Sequence, residues 1–298
     1  MSPAAYRGWG IVFALAGTVS FAFRPVIIKL GYAAAPVSAT TLLFLRMTLS
    51  LPFFAAVAWW LRGGPALARR DWAGIVLLGF LGYYAASLLD FLGLQYISAG
   101  LGRLIMFLYP TLVVILSAIF LAKRPSRREI GALALTYLGI ALVMSQRLGA
   151  GPEARAFLLG AALIFGASTC YAIYLVTGAE LVKRVGSMRF TAYTMIVSTV
   201  PAVVQFALLE RPSSLALPGQ LWIYAAILAL GCTVLPVFLV AEALRRIGAS
   251  QFALIGALGP VTTVAADFAL LDGRLSPVQV LGGALVIGGV LLVTLKKG

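Results

Sequence analysis

Five ionisable side chains, Arg24, Arg46, Asp90, Arg103 and Asp267, sit inside stretches of sequence that are otherwise apolar. Two carboxylates there could carry a proton or act as an aspartyl pair, and guanidinium groups could neutralise them or hold an anion. No histidine occurs in the 298 residues, so imidazole is excluded as base, proton relay or metal ligand, and with it a Ser–His dyad or an HExxH site. GASTC at 166–170 only resembles a GxSxG elbow, and neither aspartate lies in a glycine-rich GxGD context. A second set is aromatic and hydroxylic. Tyr83, Tyr84, Ser87, Phe107, Tyr109, Ser168, Tyr171 and Phe238 form the candidate substrate-binding set, a lining suited to an apolar or aromatic solute with a polar head. Any one of the aromatics serves equally as core or lipid-facing surface, although a phenol at mid-membrane needs a hydrogen-bond partner. A third set is a pair of prolines, Pro110 in IMFLYP and Pro260 in IGALGP, each about midway along an apolar run.

The elements that must position these residues follow from composition. The chain is 62% hydrophobic and 11% charged, with a mean hydropathy of +1.03. Soluble domains are about a quarter charged, so the chain belongs in a lipid bilayer. Its formal charge of +14 would suggest nucleic acid in a soluble protein. Here Lys and Arg fall in short gaps between apolar runs, where topology signals lie, and no nucleic-acid partner is expected. Cys170 and Cys232 fall inside apolar runs as small hydrophobes, without support for a disulfide framework or metal site. No cofactor is expected, and no GxxxxGK[ST] loop offers ATP coupling.

Runs of roughly 20 apolar residues predict ten membrane spans, at about 9–29, 37–60, 72–95, 98–121, 129–146, 156–178, 189–209, 220–243, 249–272 and 276–295. The first is too long for a signal-peptide core and is expected to be a true helix. Counting Lys and Arg in alternate loops gives fifteen on the side of Arg7, Arg69, Arg127, Arg184 and Lys296, against five on the side of Lys29, Arg147, Arg155, Arg211 and Arg274. That asymmetry places both termini in the cytoplasm of a cell inner (plasma) membrane.

An offset of 150 residues pairs Pro110 with Pro260, Gly10 with Gly160, Trp72 with Trp222, Ile97 with Ile247, Ser126 with Ser276 and Gly139 with Gly289. A register held without gaps from first span to last is an internal repeat of five helices. Five is odd, so the second copy is inverted, giving an all-α integral membrane fold of two halves, 1–149 and 150–298.

Ten spans in two halves, Arg46 in LLFLRMTLS, mid-helix prolines in FLYPTLVV and ALGPVTTV, and glycine-rich last helices (EIGALALTYLGIALV, VQVLGGALVIGGVLLV) resemble the EamA-type branch of the drug/metabolite transporter superfamily. Length and aromatic content are most similar to its YddG-like aromatic amino-acid exporters. One departure is visible: the family often carries a glutamate just after spans four and nine, where this chain has Lys123 and Gly273, with Asp272 one position early. The resemblance implies a secondary transporter, not an enzyme, exporting aromatic amino acids or related small metabolites by alternating access through a midplane cavity. The competing reading is an intramembrane aspartyl-type enzyme.

Pro110 and Pro260 are then hinges, each freeing the carbonyl four residues earlier, Met106 and Gly256. Arg24, Asp90, Arg103 and Asp267 come from four helices at one depth and are read as a charge cluster or gate; snorkelling of the arginines to the headgroups is the alternative. Tyr83, Ser87 and Asp90 are expected on one face of span three. The glycines of the last helix would serve self-association or internal packing equally.

Overall fold

The computed structural model describes residues 3–64, 66–122, 124–145, 151–273 and 276–294; Lys123, Arg147, Arg274, Lys296 and Lys297 lie outside them. Among these residues nine helices are long and apolar enough to cross a bilayer: α1 Ala5–Ala34, α2 Ala39–Trp60, α3 Arg69–Gly93, α4 Ala99–Phe120, α5 Arg127–Ser145, α6 Pro152–Val185, α7 Ser187–Leu209, α8 Gly219–Gly248 and α9 Leu254–Leu271. A tenth, α10, covers Pro277–Thr294, about 27 Å at 1.5 Å per residue. Polar caps start several of them. Ser38 Oγ accepts from Thr41 N (3.0 Å) ahead of α2, and Ser98 Oγ from Leu101 N (3.3 Å) ahead of α4. Capping boxes Ser126/Glu129 and Ser276/Gln279 open α5 and α10.

The two halves meet across a pseudo-twofold axis visible in single contacts. A methyl added at Gly10 of α1 would lie 2.6 Å from Ile247 Cγ2 and 2.7 Å from Arg246 Cβ of α8. One added at Gly160 of α6 would meet the equivalents 150 residues earlier, Ile97 and Tyr96 just beyond α3. Equivalent helices also pair with each other and run antiparallel. From α2 to α7, Ser38 meets Glu210, Phe44 stacks on Phe206 with ring centroids 4.2 Å apart, and Met47 meets Ser198. From α5 to α10, Gly139 lies against Gly282 and Val286, and Gly289 against Ala132 and Thr136. Equivalent helices that antiparallel each other require an inverted second copy. The glycine-rich face of α10 is occupied by α5, which is the close helix approach that small residues permit.

Irregularities of the helices repeat with the same register. α3 widens into a π-helical stretch at Phe80–Ala85, and α8 does so at Ile227–Val234. α4 is broken at Phe107–Leu108 and α9 at Ala257. Pro110 and Pro260 stand in the first turn after each break, where a missing N–H costs no intrahelical bond. Ala122 (φ 50°) and Asp272 (φ 51°) close these two helices in the left-handed conformation, donating from their N–H to the carbonyls of Ser117 and Asp267. The prolines thus stand beyond breaks between helical segments rather than inside continuous kinked helices.

Candidate functional site

At the end of the bundle bearing Lys29, a polar network ties α1, α3, α4 and α9. Arg24 pairs with Asp90, whose side chains are 16% and 6% exposed. Lys29 Nζ donates to the Leu94 carbonyl (3.0 Å) and the Tyr32 hydroxyl to that of Phe91 (2.9 Å). From α9, the Thr263 hydroxyl donates to the Ala22 carbonyl (2.7 Å), and Asp267 Oδ2 accepts from Gly100 N (2.9 Å) at the start of α4. The expected four-charge cluster is only partly realised. Arg24 and Asp90 do pair, but Asp267 takes a backbone amide, and Arg103 Nε is buried with no hydrogen-bond partner. Lys29, expected in a loop, lies inside α1 because that helix continues to Ala34.

Deeper in the bundle Arg46 is 2% exposed, so it does not snorkel. Its Nε donates to Thr233 Oγ1 (2.9 Å) of α8, its Nη1 to Ser87 Oγ (2.8 Å) of α3, and its guanidinium lies 5.9 Å from the Phe91 ring centroid. The Thr233 hydroxyl in turn donates to the Leu228 carbonyl five residues back (2.8 Å), satisfying an acceptor within the π-helical stretch.

The opposite end is open. A cleft of about 460 Å³ enters beside Arg124 and Pro125 and is lined by Tyr109, Pro110, Val113 and Ser117 of α4, with Leu175 of α6 and Val293 of α10. Along α4 the half-buried positions continue through Met106 to Arg103. Aromatic rings continue from the cleft: Phe107 is edge-on to Tyr109 (6.2 Å), Tyr109 to Tyr171 (5.1 Å), Tyr171 stacks on Tyr174 (5.8 Å), and Tyr174 meets Tyr83 (5.3 Å). The Ser168 hydroxyl donates to the Met106 carbonyl (3.1 Å), the acceptor that Pro110 cannot engage. A second cleft of about 300 Å³ between the α1–α2 and α7–α8 connections is lined by Ser38 and Glu210 and does not reach the aromatic rings.

The sequence-derived residues therefore divide. Tyr109, Tyr171, Phe107 and Ser168 come together around α4 and α6. Tyr83 joins the same ring series through Tyr174, whose hydroxyl donates to it at 3.4 Å. Tyr84 points elsewhere, donating to Gln205 Oε1 of α7 (3.0 Å), and Phe238 packs half-buried against the main core. Tyr83, Ser87 and Asp90 do not share one partner; across the widened turn of α3 they meet α6, α2 and α1 respectively. Sequence reasoning put Lys29 in a loop and did not single out Tyr32 or Thr18; Lys29 and Tyr32 lie five and eight residues after Arg24, a periodic polar signal only once α1 is known to extend to Ala34.

The EamA-like transporter family model matches the chain twice, over residues 8–145 and 158–295, copies displaced by the same 150 residues. Similar proteins include the uncharacterized transporters YyaM (31% identical; 75% of this chain, 73% of that one) and YcbK (30%; 95% and 91%) of Bacillus subtilis strain 168. A probable terminal-alkyne amino-acid exporter of Streptantibioticus cattleyicolor is 27% identical over 96% of this chain and 92% of its own. A solved crystal structure with 18% identity superposes at a TM-score of 0.64 over 96% of this chain and 97% of that one, a likeness of fold. With both halves matched by a family of transporters rather than enzymes, and ten apolar helices arranged as inverted repeats, the chain belongs to the EamA-like transporter family and is a multi-pass membrane transporter.

Proposed function

We propose that this transporter exports small apolar or aromatic metabolites, aromatic amino acids foremost, by alternating access, with both termini in the cytoplasm of the inner (plasma) membrane. The observation that carries this reading is a difference between equivalent elements. The second segment of α9 is packed through buried Gly259, Pro260, Thr263 and Asp267, whereas the equivalent segment of α4 presents half-buried Tyr109, Pro110, Val113 and Ser117 to the cleft. In an inverted repeat the second access state arises when the halves exchange these arrangements. The excess of Lys and Arg in the loops beside the open end supports a cytoplasmic placement of that end, in which the form described is open inward and latched outward. Ring stacking along Phe107, Tyr109 and Tyr171 supports an aromatic or apolar side chain in the substrate. Other amino acids or metabolites are the second reading, favoured by Tyr83 and Tyr174 being engaged with each other.

Asp90 and Asp267 are held by Arg24 and the Gly100 amide, which leaves facilitated transport or weak proton linkage rather than tight antiport. The test is uptake and counterflow in proteoliposomes of the purified protein against an amino-acid panel, with and without a pH gradient. Accumulation of aromatic over aliphatic members, reduced by Tyr171→Ala beyond any fall in protein content, supports the reading; equal rates for empty and protein-containing liposomes refute it.

A further inference from the structure

Three guanidinium groups lie near a single carboxylate between the end of the bundle bearing Lys29 and its interior. Arg46 feels Arg24 and Asp90, and Arg103 feels the same two groups. Asp90 is bonded to Arg24 alone. Arg46 rests on two neutral hydroxyls and the Phe91 ring. Asp267 is bonded to the Gly100 amide. The cluster of Arg24, Arg46, Arg103 and Asp90 thus has two positive charges in excess, in surroundings where uncompensated charge is expensive.

Two side chains with an orphaned polar atom lie against the same glycine. Among the described residues only three buried side-chain polar atoms have no hydrogen-bond partner: Thr18 Oγ1, Asp71 Oδ1 and Arg103 Nε. Asp71 lies near the other end of the bundle in an ion pair with Arg184. The remaining two flank one glycine: a methyl added at Gly259 of α9 would lie 3.2 Å from Arg103 Nη2 and 3.7 Å from Thr18 Cγ2. Thr18 is 6% exposed, so its hydroxyl is shielded from bulk solvent. Arg103 thus packs directly against the Gly259 backbone, an approach between α1, α4 and α9 that a side chain at this position would crowd.

We propose that Arg103 and Thr18 anchor a carboxylate of the transported solute beside Gly259. The proposal rests on the transporter reading above and names the head group that reading leaves open. A carboxylate accepts from the Nε–H and an Nη–H of one guanidinium in a planar fork while its second oxygen takes the threonine hydroxyl. It also lowers the local charge excess by one. The half-buried positions of α4 run from Arg103 through Met106 to Tyr109, whose ring meets that of Tyr171, so a solute held at Arg103 places the rest of its body toward the ring series. A cation or a neutral amide cannot neutralise the guanidinium, and the surrounding arginines repel the former.

The experiment measures equilibrium binding to the purified full-length protein in lipid nanodiscs. The probes are L-phenylalanine and L-leucine, each against its carboxamide, and inorganic phosphate as a competitor. Each acid should bind at least about tenfold more tightly than its amide, the effect of a lost charge-assisted hydrogen bond. Thr18→Val and Arg103→Gln should reduce that ratio below about threefold, weakening the acids more than the amides, with Arg103→Lys retaining part of it. If Arg103→Gln does not fold, the near-isosteric Thr18→Val carries the test. Equal binding of acid and amide by the unaltered protein overturns the proposal, as does a ratio that survives both variants, the absence of binding by every probe, or phosphate displacing the acids at lower concentration than they displace one another. A normal acid–amide ratio with no preference for phenylalanine over leucine would instead refute the aromatic reading and leave the anchor standing.

Discussion

Replacing Asp90 by asparagine should open the latched end. The substitution keeps the shape and one acceptor beside Arg24 but removes the charge. Breaking a buried ion pair by deleting one partner costs about 3–5 kcal/mol; with Arg24 16% exposed and a neutral acceptor retained, about 2 kcal/mol is the appropriate figure. That cost falls only on the state in which α1 and α3 are latched, so the ratio of open to latched molecules should rise about thirtyfold, at 1.36 kcal/mol per decade. Ala99, fully buried with Val26 and Ala266 at this end, is a suitable reporter. In a background with Cys170 and Cys232 replaced by serine, the alkylation rate of Ala99→Cys in proteoliposomes should increase by that factor when Asp90→Asn is added. A rate within threefold of the parent, in protein that elutes as a single folded species, would refute the latch.

Cysteines introduced at Gly64 and Arg127 should be protected from an impermeant external reagent in intact cells while one at Pro212 reacts; reaction at all three contradicts the orientation proposed. Pro110→Ala and Pro260→Ala each restore an amide donor after a helix break, and should leave the melting temperature equal or higher while lowering transport and shifting reporter accessibility in opposite directions. Normal transport with unchanged accessibility in both makes the prolines packing features. Gly139→Ala places a methyl 2.6 Å from the Gly282 carbonyl and should destabilise the protein by about 1–3 kcal/mol, read as a lower melting temperature in detergent. Gly131→Ala, with nothing within 4 Å of the added carbon, is its neutral control.

Helix number and repeat register were legible in the sequence because both depend on long patterns: apolar runs of bilayer length, and the 150-residue spacing that relates Pro110 to Pro260 and Gly139 to Gly289. The site was legible only in part. Tyr109 and Tyr171 were singled out because phenols at mid-span are conspicuous, and the structure brings their rings together. Tyr84 was misplaced because the π-helical stretch at Phe80–Ala85 alters the angular position of residues across it, and no 3.6-residue pattern reports an extra residue in a turn. The pairing of Asp267 with the Gly100 amide was invisible for a related reason: a backbone donor at a helix start becomes a partner only through tertiary packing.

The latch has a chemical asymmetry with a thermodynamic consequence. Carried across by 150 residues, Arg24, Lys29, Tyr32, Thr263 and Asp267 become Tyr174, Ala179, Val182, Val113 and Ser117. One mouth is fastened by ions and hydrogen bonds, while the equivalent surfaces at the other are mostly apolar and must seal by expelling water. An apolar seal carries a negative heat-capacity change and weakens on cooling. A polar fastening is opposed by desolvation of its charges, a penalty that falls as temperature rises. Under the alternating access proposed above, the two closures follow different temperature laws, and the resting balance between the two forms is set partly by the warmth of the membrane in which the protein works.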